Sequence, residues 1–212
     1  EAAKSVDELF AIELELAPYG NSEFFGAYIG ADDKNSTQNI LNVMQSGITL
    51  GLKEYYLDND SATTAIRDAY KKHIVRMFQM FGFDEATSTK KMENILKLET
   101  ELAKNSKSRT ELRDPEANYN KTTLDEFNKN YPNIKLEAIA NAQGLKSEYI
   151  QEFIVGQPLF FEALNKMRAT MTADEYRDYM EWGQIMSAVS YLSDDVIAAN
   201  FDFFGKTMSG RK

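Results

Sequence analysis

Between Ser61 and Lys104 the apolar residues recur at intervals of three and four, the spacing that an α-helix gathers into one continuous face. Ile66, Tyr70, Ile74, Met77, Phe78 and Phe81 form a first stripe, and Gly82 stops it because glycine accepts the left-handed backbone in which helices end. Asp84 to about Lys104 forms a second long helix, with Met92, Ile95, Leu96, Glu99 and Leu102 on one side. Two long amphipathic helices in tandem must bury their stripes against further elements, so the chain is mainly α before any other segment is considered.

The flanking segments supply those elements. Ser5 caps a helix running to about Leu16, with Asp7 and Glu8 at the positive end of its dipole and Leu9, Ile12 and Leu16 on its apolar face; Pro18, Gly20 and Asn21 end it. Phe24–Ala31 is aromatic and β-branched enough to be a strand, Asp32–Ser36 is a turn, and Thr37–Val43 returns as a second strand. The stretch from Ser106 to Lys121 is polar and interrupted by Pro115, which predicts a loop. Thr123 with Glu126 signals a short capped helix ending before Pro132, Ile134–Ala142 another closed by Gly144, and Glu148–Val155 a strand joining the hairpin. Pro158 opens a helix carrying Phe160, Phe161, Leu164 and Met167; Thr172 with Glu175 opens the next; Ser193 caps a last one with Ile197, Phe201 and Phe204. The expected architecture is mainly α, a multi-helix domain with a small antiparallel β-hairpin or sheet, residues 1–212 forming a single unit.

Composition narrows what such a domain does. At 212 residues with 43% hydrophobic and 27% charged side chains, the chain has enough apolar surface for a real core. A net charge of −9 argues against a nucleic-acid surface, whose affinity rests on Lys and Arg neutralising phosphates. No apolar run approaches the roughly 18 residues a membrane-spanning helix needs. The chain starts at Glu1 without a basic-then-apolar leader, which is expected of a processed protein or a piece of a longer one. It has no cysteine and one histidine, His73, so neither a thiolate site nor a His-Glu-x-x-His zinc helix can be assembled from it. Walker, Gly-x-Gly-x-x-Gly and Gly-x-Ser-x-Gly motifs are absent as well. No catalytic, cofactor-binding or metal-binding residue is therefore assigned.

Three features stand out and each has a plain structural reading. His73 lies on the apolar side of its helix between Tyr70 and Met77; a ligand or base role needs a second donor, and a buried structural histidine does not. Asp58-Asn59-Asp60 begins like a calcium loop but lacks its Gly and terminal Glu, so a turn or helix N-cap is expected. Glu99 sits on an apolar face, where a carboxylate needs a partner, and Arg113 in the following loop is the expected one; catalytic work by Glu99 is the competing reading.

An ordered series of motifs resembles the N-terminal helical region of the neprilysin-type zinc metalloendopeptidases, in a bacterial relative given the missing cysteines. The series runs from Tyr28-Ile29-Gly30-Ala31-Asp32-Asp33-Lys34-Asn35-Ser36 through Gly51-Leu52 and Glu54-Tyr55-Tyr56-Leu57 to Leu98-Glu99-x-x-Leu102-Ala103. It continues with Arg113-Asp114-Pro115-Glu116, Tyr119-Asn120-Lys121 and Tyr179-Met180-Glu181-Trp182, and closes on Phe201-x-Phe203-Phe204-Gly205-Lys206 and Ser209-Gly210. The Asp-Asp-Lys-Asn-Ser turn and the Arg-Asp-Pro…Tyr-Asn-Lys loop are its most specific parts.

The resemblance implies a two-lobed enzyme, periplasmic or extracellular, that hydrolyses small peptides. This chain would be the cavity-forming, substrate-restricting lobe and catalytically incompetent alone. Zinc would belong to the catalytic lobe of the same polypeptide, absent from this chain, which also ends near the point where the family's chain heads back toward that lobe. Its partners would be that lobe and the peptides held between them, with no nucleic acid and no membrane segment. The alternative is a stand-alone helical protein- or peptide-binding module.

Overall fold

The computed structural model describes residues 3–19 and 24–211. Helix α1 (Val6–Leu16) opens on a capping box: the Ser5 hydroxyl accepts from the Glu8 N–H while the Glu8 carboxylate accepts from the Ser5 N–H at 3.1 Å. Of the residues expected to end it, Gly20 and Asn21 lie outside the described residues. Strands β1 (Phe25–Asp32) and β2 (Asn35–Gln45) then form the expected antiparallel hairpin. Its turn is shorter than Asp32–Ser36, because the strands extend until only Asp33-Lys34 remain between them. The register runs evenly from Phe25↔Gln45 to Ala31↔Asn39 and slips between Ala31 and Asp32.

A short helix α2 (Glu54–Leu57), unsignalled by any periodicity, precedes the two long ones, α3 (Ser61–Met80) and α4 (Glu85–Lys104). Each long helix starts on an aspartate cap: Asp60 accepts from the N–H groups of Ala62 and Thr63, and Asp84 from that of Thr87 at 2.7 Å. The Asp58-Asn59-Asp60 run is thus a turn and helix cap. Gly82 follows α3 at φ +91°, with the Phe83 N–H returning to the Phe78 carbonyl, the closure expected of a left-handed C-terminal residue.

Downstream come β3 (Lys121–Thr123), α5 (Leu124–Asn130), α6 (Leu136–Ala142), β4 (Glu152–Val155), α7 (Pro158–Thr170), α8 (Ala173–Ala188) and α9 (Asp194–Phe201), then a π-helical turn over Asp202–Met208. The four strands are ordered β1-β2-β4-β3, with β4 parallel to β2 and β3 antiparallel to β4. The small sheet is therefore mixed rather than purely antiparallel, since the chain crosses through α2–α6 before β4 is laid beside β2. Only Glu152–Val155 of the expected strand over 148–155 is extended, and β3 emerges from the end of a segment expected to be loop. Ser193 precedes α9 without a side-chain cap bond.

Two apolar clusters hold these layers together. One packs the sheet against α1, α5, α6 and α7 through Phe24, Phe25, Val43, Phe127, Phe153, Phe160, Phe161 and Leu164. The other packs α2, α3, α9 and the π-turn around Tyr70, Ile74, Met77, Phe78, Trp182 and Phe203. Helices α4 and α8 belong to both: Leu98, Leu102, Tyr176 and Tyr179 face the first cluster, Ile95, Ala103, Trp182 and Ile185 the second. At about 1.5–3 kcal/mol per fully buried Leu, Phe or Met side chain, each cluster is a substantial source of stability.

Candidate functional site

The two most specific stretches of the series meet in space. Asp32, only 2% exposed at the end of β1, accepts from the Lys34 N–H at 2.9 Å and from the Tyr119 hydroxyl at 2.8 Å, with the Lys121 ammonium 3.6 Å away. These donors, the Lys34 amide foremost, hold its carboxyl below the usual range. Lys34 pairs with Glu116 at 2.9 Å and lies over the Tyr119 ring. Behind this contact the loop is stitched to the sheet. The Asn118 amide donates to the Asp114 carbonyl, its oxygen accepts from Gln157, and Asn120 and Val155 exchange bonds. The arrangement fixes the hairpin end against the 114–121 loop; it holds no nucleophile or paired acid and base.

Glu99 is where the structure departs from expectation. Its carboxylate is fully buried, and its partner is not Arg113, which is exposed and forms no ion pair with any described residue. Three hydroxyls and one amide surround it instead: Thr49 Oγ1 at 2.5 Å, Tyr56 at 2.8 Å, Tyr70 at 2.9 Å and the Thr49 N–H at 3.1 Å. Those hydroxyls are themselves oriented, since Tyr56 accepts from the Leu50 N–H while Thr49 and Tyr70 accept from the Trp182 indole. Burial raises the Glu99 pKa to about 7, with the donors only partly offsetting the loss of water. The expected pair failed because the loop after β2, rather than the loop bearing Arg113, folds over this part of α4. Tyr56 and Trp182 stood in the motif series, and Tyr70 on the α3 stripe; a tyrosine at a fully apolar position needs an acceptor, and that was the available signal.

The whole chain, residues 1–212, matches the sequence model described as peptidase family M13. The chain belongs to peptidase family M13. It is the N-terminal region of these neprilysin-type enzymes. Endothelin-converting enzyme 1 of Homo sapiens is 28% identical over 95% of this chain, and that of Rattus norvegicus 29% over the same share. The Mycobacterium tuberculosis zinc metalloprotease ZMP1 in its open state superposes over 100% of the chain with a TM-score of 0.92 and 27% identity. The same enzyme bound to an inhibitor gives 0.89 and 26% over 98% of the chain. The chain spans 26% of the human and rat converting enzymes, 32% of the open ZMP1 chain and 31% of the inhibitor-bound one.

Within this M13 chain, His73 is buried at 4% exposure in an aromatic box, stacked on Phe203 at 4.9 Å and edge-on to Trp182 and Phe204. Burial foremost, then Arg76, lowers its pKa to about 4, so near neutrality the imidazole is uncharged. Among the described residues no three His, Cys, Asp or Glu side chains converge as a metal site. Among the described residues an open groove of about 1030 Å³ runs along α4 and α7, lined by the apolar Met92, Leu96, Leu159 and Ala163 together with the charged Lys97, Lys104, Glu162 and Lys166. A second, more apolar cleft of about 430 Å³ lies between α1, the end of α3 and α8. No described helix is long and apolar enough to cross a membrane.

Proposed function

We propose that this chain is the substrate-restricting lobe of a zinc-dependent metalloendopeptidase that hydrolyses small peptides. Carrying the proposal is the match of the whole chain to one third of a zinc metalloprotease, at a TM-score of 0.92 and 27% identity. In this reading residues 1–212 form one non-catalytic lobe, and the zinc ligands and general base lie elsewhere in the same polypeptide. Zinc bound there would supply polarisation of the scissile carbonyl and activation of water, and this lobe would wall the cavity and limit access. The long open groove on α4 and α7 supports a role as wall, since it is broad and mixed in polarity rather than a tight pocket. The resemblance to the neprilysin-type family implies, as part of this reading, a periplasmic or extracellular location.

The test compares the 212-residue chain with the full-length polypeptide, each given equimolar zinc, on a short fluorogenic peptide and on a folded protein. The chain alone leaves the peptide intact, while the full polypeptide cleaves the peptide and spares the folded protein. Hydrolysis by the isolated chain that survives repurification would refute incompetence. Equal cleavage of peptide and folded protein by the whole enzyme would refute size restriction.

A further inference from the structure

The two outer strands of the sheet are built differently. Edge strands expose unpaired N–H and C=O groups, and proteins normally blunt them with shortness, charge, proline or a bulge. β3 follows that rule: it is three residues long and carries Lys121, which bridges to Glu152 and Asp32. β1 does not. Gly26-Ala27-Tyr28-Ile29-Gly30-Ala31 has no charge and no proline, its bulge lies beyond Ala31, and its only ladder among the described residues is to β2. Tyr28 is 51% and Ile29 59% exposed; as neighbours they point to opposite faces, so the strand is open to water on both.

The segment is also complementary to itself. Read outward from Tyr28, it places Gly26 and Gly30 at equal distances on one face, with Ala27 and Ile29 on the other. An antiparallel neighbour related by a two-fold axis at Tyr28 therefore sets glycine against glycine on either side of a tyrosine pair. It sets the small Ala27 against the larger Ile29 twice over. The glycines give the rings room: the Tyr28 ring already lies over Gly30, where an added Cβ would come within 3.1 Å of it. Neither a charged side chain nor a size mismatch opposes this pairing. We propose that the β1 edge pairs with the β1 edge of a second copy of the protein, continuing the four-stranded sheet into one of eight strands across a two-fold axis. A single strand pair is small against the roughly 1,600 Å² of a standard stable interface, so the dimer is weak and concentration-dependent.

The experiment is sedimentation velocity of the full-length polypeptide, from micromolar to hundreds of micromolar, beside the variants Tyr28→Lys and Ile29→Lys. Both side chains are exposed, so these variants keep the wild-type circular dichroism. The wild type shifts toward the dimer with concentration and both variants remain monomeric. Register is read by Tyr28→Cys under mild oxidation: a two-fold axis at this residue brings the two sulfurs within disulfide reach. Tyr28→Cys then links copies several-fold faster than Tyr149→Cys, a site away from the edge that is more exposed, at 65% against 51%. A monomer at every concentration overturns the proposal. So does a dimer that survives both lysine variants, or equal cross-linking rates at positions 28 and 149.

Discussion

Glu13 and Glu99 are both buried carboxylates, at 2% and 0% exposure, and the fold handles them in opposite ways. Glu13 on α1 is matched by a full counter-charge: Arg168 of α7 reaches it at 2.5 Å, and the Tyr176 hydroxyl donates to the same oxygen. The guanidinium is enclosed by rings, 4.9 Å from the Phe24 centroid and 5.3 Å from that of Tyr176. Glu99 has no cation among its partners, only neutral donors from α2, α3 and the loop after β2. An ion pair satisfies a buried charge by cancelling it. A cage of hydroxyls disperses it and leaves the desolvation cost largely standing, so proton uptake becomes competitive near neutral pH.

The largest effect that contrast predicts is at the ion pair. Arg168→Ala removes the only cation paired with Glu13 among the described residues and costs on the order of 3–5 kcal/mol, whereas replacing both partners with apolar residues of similar volume costs much less. Urea unfolding of Arg168→Ala and of Glu13→Leu with Arg168→Met measures both. If the two variants are equally unstable, packing rather than charge matching governs this site, and the comparison with Glu99 loses its basis.

Glu99 should reveal itself through pH instead. Its folded-state pKa of about 7 lies above the ordinary 4.5, so the folded protein holds this proton more tightly than the unfolded chain does. The stabilisation is complete below about pH 4.5 and is lost as pH rises through 7, a change on the order of 3 kcal/mol for a shift of this size. Glu99→Gln does not titrate, so its stability relative to wild type improves between pH 5 and pH 8. A difference that stays flat across that range would mean that the four donors fully offset burial. His73 carries the opposite sign. With its pKa lowered to about 4, it withdraws stability as pH falls from about 6.5, and His73→Phe removes that acid loss.

A smaller effect tests the cage donor by donor. Tyr70→Phe removes one hydrogen bond to Glu99 and one acceptor from the Trp182 indole while keeping the ring in place. Its cost is about 1–3 kcal/mol, the range for stranding a buried polar group. Thermal unfolding measures it, and a value near zero would show that the remaining donors compensate.

The long helices, the aspartate and capping-box starts and the hairpin were legible because each is written in local spacing. The Ser5, Thr123 and Thr172 caps all close on a glutamate three residues later, as their sequence signals. That a strand within 148–155 joins the hairpin was legible, but its parallel register on β2 was not, since Leu41 and Phe153 become neighbours only after the helices between them have packed. The family motifs announced that Asp32 and Tyr119 matter but not that they touch. The carboxylate at Glu99 was recognisable as anomalous from the apolar face it occupies. Its partners were not, because Thr49 lies in a loop without periodicity and three different elements supply the donors.

The smallest expected effect marks the boundary of the cage. Arg113 sits in an exposed turn over Glu111–Arg113, away from the carboxylate that sequence spacing had assigned to it. An exposed arginine without an ion-pair partner has little to lose on truncation, so Arg113→Ala leaves the unfolding midpoint unchanged within error. Combined with Glu99→Gln it shows no coupling, because the two positions share no partner and sites of that kind add independently. The double-mutant cycle is most informative at pH 8, where Glu99 carries the most negative charge and any long-range attraction to Arg113 would be strongest. Coupling there would place a counter-charge within reach of Glu99 in solution, and the contrast between a cancelled and a dispersed buried charge would fail at its central case.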